Sequence, residues 1–449
     1  MPEKEQESTG DAPVVVIGAG AAGLMAAIFA AQAAQPPAEV VLLEATDRPG
    51  QKILISGGGR CNVLPERAAA SDFHTDGSPN TVRKILDAWP LDEVKDFFGR
   101  DLGVPLVLEA DSAKYFPASN RSRMVLDALL RAAAERGVTL RRGARVSALD
   151  RADRGWTVRL ASGEALAAGR VVLATGGLSV PATGSDGSGL ALARTLGHSI
   201  VPTYPALVPL TTDRSDHHAL AGISLPVTLS APVPGSKRLY QARGGFLFTH
   251  RGYSGPAVLN VSHLAVRSAQ VIGPRTLISV QWTDLGAIAW DALLRSRRGP
   301  LLPLLRDVLP ERLAQQLLVE AGLAEAEGSQ LRREDRGQLV ELLTRYDLPW
   351  TGHEGYRTAE VTGGGIPLNE VSPATLESRL ARGLHLCGEM LDAFGPIGGF
   401  NFLWAWVTGK IAGDAAGSPE PPEPEEAVAA EEAGAEPTGD ETAENEDPA

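Results

Sequence analysis

The first wholly apolar run of the chain, Val14–Ile17, consists of four β-branched residues and ends in glycines, which predicts a short buried strand. An Ala-rich stretch over 22–34 predicts a helix, Pro36-Pro37 ends it, and a second apolar run over 40–43 stops at Glu44. This order and spacing is that of a parallel β-α-β unit. Further helices are expected over 82–98, 121–136 and 187–196, and strands over 146–149, 156–160 and 170–174. Beyond Val201 the pattern changes, because Pro202, Pro205, Pro209, Pro226, Pro232 and Pro234 punctuate short strand candidates such as 227–230 and 246–249. Residues 285–346 then carry helical spacing, as in Leu313, Leu317, Leu318 and Leu339, Leu342, Leu343. From Arg357 the first texture returns, with strand candidates over 359–362 and 384–387 and a helix over 401–412. The predicted fold class is α/β: a Rossmann-like domain with a parallel sheet, discontinuous over 13–200 and 357–417. It is interrupted at 201–356 by an inserted domain, β-barrel-like and then helical.

Composition changes this picture mainly at the ends. The chain has 449 residues and a formal charge of −13, which for a whole surface would disfavour nucleic acid or anionic membrane as partners. Residues 418–449 hold twelve acids and no Lys or Arg, and residues 1–12 carry −3, so residues 13–417 are left at +2. The acidic tail, without an aromatic residue, is expected to be disordered and solubilising. The uncharged stretch 13–34 has an acidic flank and is broken by Gly18, Gly20 and Gly23, so a buried strand–turn–helix is expected rather than a membrane span or signal peptide. Two cysteines, Cys61 and Cys387, make no disulfide framework and no CxxC, which points to a reducing, cytoplasmic setting.

The chemistry is concentrated in glycine-rich joints. Gly18-Ala19-Gly20-Ala21-Ala22-Gly23 is a complete G-x-G-x-x-G placed between a strand and a helix. In that context Gly18 permits the turn, Gly20 admits a pyrophosphate to the backbone, and Gly23 lets helix and strand approach. The phosphates would then meet free N–H groups at the positive end of the helix dipole. Glu44, 21 residues beyond Gly23, stands where a carboxylate accepts hydrogen bonds from a ribose. This fingerprint does not separate NAD from FAD. The following segment, Arg48 to Asn62, is expected as a loop whose Gly57-Gly58-Gly59 backbone can meet a flat ligand or more phosphate, with Arg48, Lys52 and Arg60 as cations. No HExxH, HxH or G-x-S-x-G spacing occurs, so no metal site and no serine nucleophile is expected. His217-His218, in an Asp-rich stretch, is expected to be solvated.

Over residues 13–415 the chain resembles the FAD-binding flavoproteins that include aminoacetone oxidase and bile-acid dienone reductase. The resemblance rests on Leu54-Ile55-Ser56-Gly57-Gly58-Gly59-Arg60-Cys61-Asn62, Ala174-Thr175-Gly176-Gly177, Leu247-Phe248-Thr249-His250 with Ser254-Gly255-Pro256, Thr362-Gly363-Gly364-Gly365, and Cys387-Gly388-Glu389 running into Gly398-Gly399-Phe400-Asn401. It implies FAD as cofactor. The implied FAD contacts are Gly18, Gly20, Ala22, Gly23, Glu44, Arg48, Lys52, Ser56, Gly58, Arg60, Cys61 and Asn62, with Val146 at the adenine. Ala174, Thr175 and Gly176 follow, then Gly388 and Glu389 at the ribityl chain, and Gly398, Gly399, Phe400 and Asn401 at the flavin. At that last helix start, N–H groups and the dipole would stabilise the negative charge of a reduced flavin. Departures from the family pattern fall at Pro396-Ile397 and Tyr253.

His250 and Tyr253 are the candidate proton donors, against the reading of a loop that packs the insert on the FAD domain. Cys61 and Cys387 are expected to be buried and structural rather than a redox pair. The function expected is FAD-dependent oxidoreduction at flavin N5, with a small-molecule substrate and a transient NAD(P)H, since a second dinucleotide fingerprint is missing. Reduction of an activated double bond leads. An oxygen-using amine oxidase and a non-catalytic or RNA-associated FAD-binding protein are the alternatives. Neither nucleic acid nor membrane is expected as a partner, and the sequence leaves oligomeric state open.

Overall fold

A computed structural model describes residues 12–34, 39–270 and 275–419. The acidic tail beyond 419, residues 1–11 and Pro36-Pro37 lie outside the described residues. The run Val14–Ile17 forms the central strand of a five-stranded parallel sheet, in the order Leu384–Leu386, Arg170–Leu173, Val14–Ile17, Val40–Leu43, Thr139–Arg141. Unbroken Val and Leu runs suit Val14–Ile17 and Val40–Leu43, because every position of these two strands is buried.

Helix Ala21–Ala33 packs on this sheet and against the last helix, Phe400–Gly417, which runs five residues past its expected end. Their approach is very close. A Cβ added at Gly409, Gly413 or Gly417 would come within 2.4, 2.3 and 2.2 Å of the carbonyl oxygens of Ala22, Ala26 and Ala30. Three glycines four residues apart thus meet three alanines four residues apart, one face of each helix. A three-stranded antiparallel meander, Val146–Arg151, Trp156–Leu160 and Ala165–Ala168, lies beside the parallel sheet.

One hydrophobic core draws on residues 14–193 and 366–416, and a second on 210–350. The second is built on a seven-stranded antiparallel sheet whose outer strands, Tyr346–Asp347 and Gly352–His353, are joined by the short link 348–351. Its main hairpin is longer than the sequence suggests: Ser224–Pro232 pairs with Leu239–Thr249 over nine residues. Pro226 does not stop the first strand, since the neighbouring strand Ser279–Gln281 pairs only with 228–230 and leaves that end an edge. Inward Leu225, Val227, Leu229 and Ala231 alternate with outward residues and face helix Pro256–Gln270. Four helices, Ala287–Ser296, Leu301–Arg306, Glu311–Glu320 and Arg333–Thr344, complete this core. The two bodies are linked by an antiparallel ribbon, Val201–Ala206 with Val361–Gly365.

Candidate FAD site

At the carboxyl ends of the parallel strands lies a cavity of about 440 Å³, within the usual range for a small-molecule site. Gly18, Gly20, Ala21 and Ala22 line it where Val14–Ile17 turns into its helix. A Cβ added at Gly20 would meet no heavy atom within 4 Å, so bare backbone faces the open space. Gly23 serves the opposite purpose: its added Cβ would lie 1.8 Å from Gly18 O. It is a packing glycine, outside the lining. The first-turn N–H groups of this helix have no intrahelical partners and no side-chain cap.

Glu44 is buried at the wall. One carboxylate oxygen accepts Ala19 N at 3.0 Å and the other accepts Thr46 N at 2.8 Å, which fixes the side chain with lone pairs to spare. Val146 and Arg145 line the same cavity, and Arg145 pairs with Asp186 at 2.7 Å.

The segment after Glu44 is only partly the expected loop. Residues 51–55 form a helical turn, and Gly57 and Gly58 then adopt left-handed φ of +55° and +67°. Ser56, Gly57, Gly58 and Asn62 line the cavity, and Asn62 Oδ1 is buried there without a protein partner. Arg48 and Arg60 lie outside the lining. Arg48 is exposed, whereas Arg60 pairs with Glu109 at 2.8 Å and stacks over Phe116. Lys52 does reach the cavity, yet its ammonium is held by Glu389 and Ser179, both at 2.5 Å. Of the three expected phosphate cations, none is left unpaired in the cavity.

Ala174, Thr175 and Gly176 line the cavity, as do Gly388 and Glu389. Gly388 is tied to the last helix through Thr408 Oγ1 at 3.0 Å, and Glu389 also accepts Ser179 Oγ at 2.6 Å and Thr362 N at 3.0 Å. Gly398, Gly399 and Asn401 line the cavity at the start of Phe400–Gly417. The Asn401 amide clamps Gly395 through both its N–H (2.9 Å) and its carbonyl (3.0 Å), and Phe400 turns away onto Phe73. Cys61 and Cys387 are buried outside the lining. Burial pushes the Cys61 thiol up to about 12 and raises that of Cys387, so neither offers a thiolate near neutral pH.

The expected proton donors are placed elsewhere. His250 is exposed in a turn, and Tyr253 is fully buried in the core of the insert. The Tyr253 hydroxyl bonds His217 Nδ1 at 2.7 Å; His217 Nε2 meets the Tyr346 hydroxyl at 3.0 Å and Glu320 at 3.3 Å. His217 is therefore buried, not solvated as its Asp-rich sequence suggests, because Tyr253, Tyr346 and Glu320 converge on it. Asp216, His217 and Glu320 are close enough to bind a metal ion, but both carboxylates already pair with Arg214. Two charged groups that sequence reading missed, Lys114 and Glu360, project into the cavity. Glu360 directly precedes the Val361–Gly365 strand, which is the one signal that could have drawn attention to it.

The bare backbone at Gly20, the orphaned Asn62 Oδ1 and the anchored Glu44 fit a dinucleotide stretched along this cavity, and a strand–glycine turn–helix with such a site defines a dinucleotide-binding Rossmann protein. The model of the HI0933-like protein Rossmann domain matches residues 12–415, and the chain belongs to that family. It is 33% identical over 407 residues to the 3-dehydro-bile acid delta(4,6)-reductase of Clostridium scindens, covering 89% of this chain and 98% of the relative. It is 31% identical over 400 residues to the ribosomal RNA dihydrouridine synthase of Escherichia coli K12, covering 87% and 94%. Among solved structures, 3-ketosteroid-delta4-(5alpha)-dehydrogenase of Rhodococcus jostii RHA1 aligns with TM-score 0.42 at 17% identity, over 92% of this chain and 98% of that one. The protein is an FAD-dependent oxidoreductase. No helix among the described residues is long and apolar enough to cross a membrane.

Proposed function

We propose that the protein reduces a carbon–carbon double bond conjugated to a carbonyl in a small organic substrate, with NAD(P)H as hydride donor. The observation that carries this reading is chemical. The names of two relatives, a 3-dehydro-bile acid delta(4,6)-reductase and a dihydrouridine synthase, describe different substrates but one transformation, saturation of such a bond. The near-neutral body, +2 over residues 13–417, favours a small molecule over RNA, whose binding calls for a strongly basic face.

In this reading Gly20 and the first-turn N–H groups hold the pyrophosphate, Glu44 holds the ribose, and Val146 lies at the adenine. Gly388, Gly398 and Gly399 bring bare backbone to the ribityl chain and flavin. Bound FAD supplies two-electron hydride chemistry. The chain's own part is to orient the substrate, exclude water and provide a proton. Residues 201–356 act as the cap that sets specificity, and the two buried free cysteines accord with a reducing cytoplasm.

The test is anaerobic mixing of the purified yellow protein with NADH or NADPH, followed by a 3-oxo-4-ene steroid or, separately, ribosomal RNA. Bleaching by a nicotinamide and return of the yellow band on adding the steroid, with a saturated product, is expected. Return with RNA alone would replace the substrate class. Bleaching by an aminoketone instead of a nicotinamide would establish the oxidase.

A further inference from the structure

Six charged side chains line the cavity, and the protein itself satisfies four of them. Glu44 is held by Ala19 N and Thr46 N, Lys52 pairs with Glu389, and Arg145 pairs with Asp186. Lys114 and Glu360 form no hydrogen bond or ion pair with any described residue, although their charges act on each other. Lys114 comes from strand Lys114–Pro117, and its side chain runs past Gly398, so that a Cβ there would touch its Cε at 3.0 Å. Glu360 enters from the ribbon between the two bodies, and its backbone N–H donates to Leu207 O while its carboxylate has no protein partner among the described residues.

We propose that Glu360 is the acid that protonates the substrate's α-carbon and that Lys114 holds its carbonyl oxygen, which deepens, and rests on, the double-bond reduction proposed above. Two charged groups of opposite sign, left without a protein partner and facing one open space, point to an occupant with complementary chemistry. A conjugated carbonyl fits: its oxygen accepts from the Lys114 ammonium, and its α-carbon needs a proton. In the step, the π bond of the alkene breaks. The β-carbon gains a hydride with its electron pair from the reduced flavin, which a dihydronicotinamide recharges. The α-carbon gains the proton of Glu360, whose O–H bond breaks, and the resulting carboxylate is reprotonated from water.

Glu360 is crowded by protein yet exposed, because the side it shows to solvent is the cavity. That crowding raises its pKa, against the pull of Lys114 and Lys52, which is the direction a proton donor needs. Of the other charges around it, Glu389 is neutralised by Lys52, while Glu44 and Arg145 are engaged at Ala19 and Asp186.

The test uses FAD-loaded protein, wild type, Glu360→Gln and Glu360→Asp, with two measurements. The first is anaerobic reoxidation of dihydronicotinamide-reduced protein by a 3-oxo-4-ene steroid across pH. Wild type should slow as pH rises through the Glu360 titration; Glu360→Gln should be about 100-fold slower with that limb absent, and Glu360→Asp should restore the limb. The second is the change in oxidised flavin absorbance when a saturated, unreactive 3-oxo steroid binds. Its affinity should vary with pH in wild type and not in Glu360→Gln, and Lys114→Met should weaken it at every pH. A Glu360→Gln protein with wild-type rates and the wild-type pH profile overturns the proposal. A wild-type protein inert to the steroid overturns the reduction reading and this proposal with it.

Discussion

Two glycines three residues apart do opposite work at the mouth of the cavity. Gly20 has extended backbone and empty space where a Cβ would stand, whereas Gly23 has Gly18 O at 1.8 Å. Gly20→Ala should therefore fold with a stability change within about 0.5 kcal/mol in the flavin-free protein. Its methyl occupies the phosphate approach, so FAD retention, read from absorbance after gel filtration, should fall about tenfold. Gly23→Ala should cost about 1–3 kcal/mol in urea unfolding, because helix Ala21–Ala33 must move off its strand. Both roles are legible from spacing within six residues of chain. Lys114 and Glu360 were not, since no local pattern marks a side chain whose partner is a ligand. Tyr253 shows the converse: its motif looked chemical, and the fold spent its hydroxyl on His217.

Among elements, the contact between Ala21–Ala33 and Phe400–Gly417 sets the floor of the site, since Gly388 hangs from the second helix through Thr408. Small residues make that contact possible. Gly413→Ala places a Cβ 2.3 Å from Ala26 O and should lower stability by about 1–3 kcal/mol with an unchanged urea m-value. Gly337→Ala, in helix Arg333–Thr344, meets nothing within 4 Å and should instead stabilise by about 0.4–1 kcal/mol. The four-residue spacings Ala22, Ala26, Ala30 and Gly409, Gly413, Gly417 stand in the sequence. Which of these small-residue faces meets which is not written there, because 366 residues lie between the two helices. The insert hairpin was underestimated for a related reason: Pro226 reads locally as a strand breaker and becomes harmless only where no neighbour needs its N–H.

For the whole molecule, the joint between the two bodies carries a titratable cluster. His74 and Phe394, joined backbone to backbone, meet Tyr240 and His263 of the insert, with the His74 and His263 rings 4.0 Å apart. Burial, and then Arg267, lowers the His74 pKa from 6.5 to about 4, while Asp72 opposes them; burial also lowers that of His263. A histidine held neutral in the folded state contributes stability above its unfolded pKa and loses it as pH falls toward the folded value. The unfolding midpoint should therefore drop between pH 6.5 and about 4, and His74→Phe should flatten that part of the curve relative to wild type. Equal slopes for the two proteins would show that His74 does not contribute to the acid sensitivity.

By itself the sequence determined the parallel β-α-β opening, the glycine turn and the acid at Glu44. These depend on backbone conformation and periodicity, which act over a few residues. Only the tertiary structure decided which charges the cavity keeps. Lys52 and Glu389 lie 337 residues apart and neutralise each other, Arg60 is drawn to Glu109, and Lys114 and Glu360 are left facing open space. Charge pairing is a matter of distance in space, and distance between remote segments exists only once the two cores have packed.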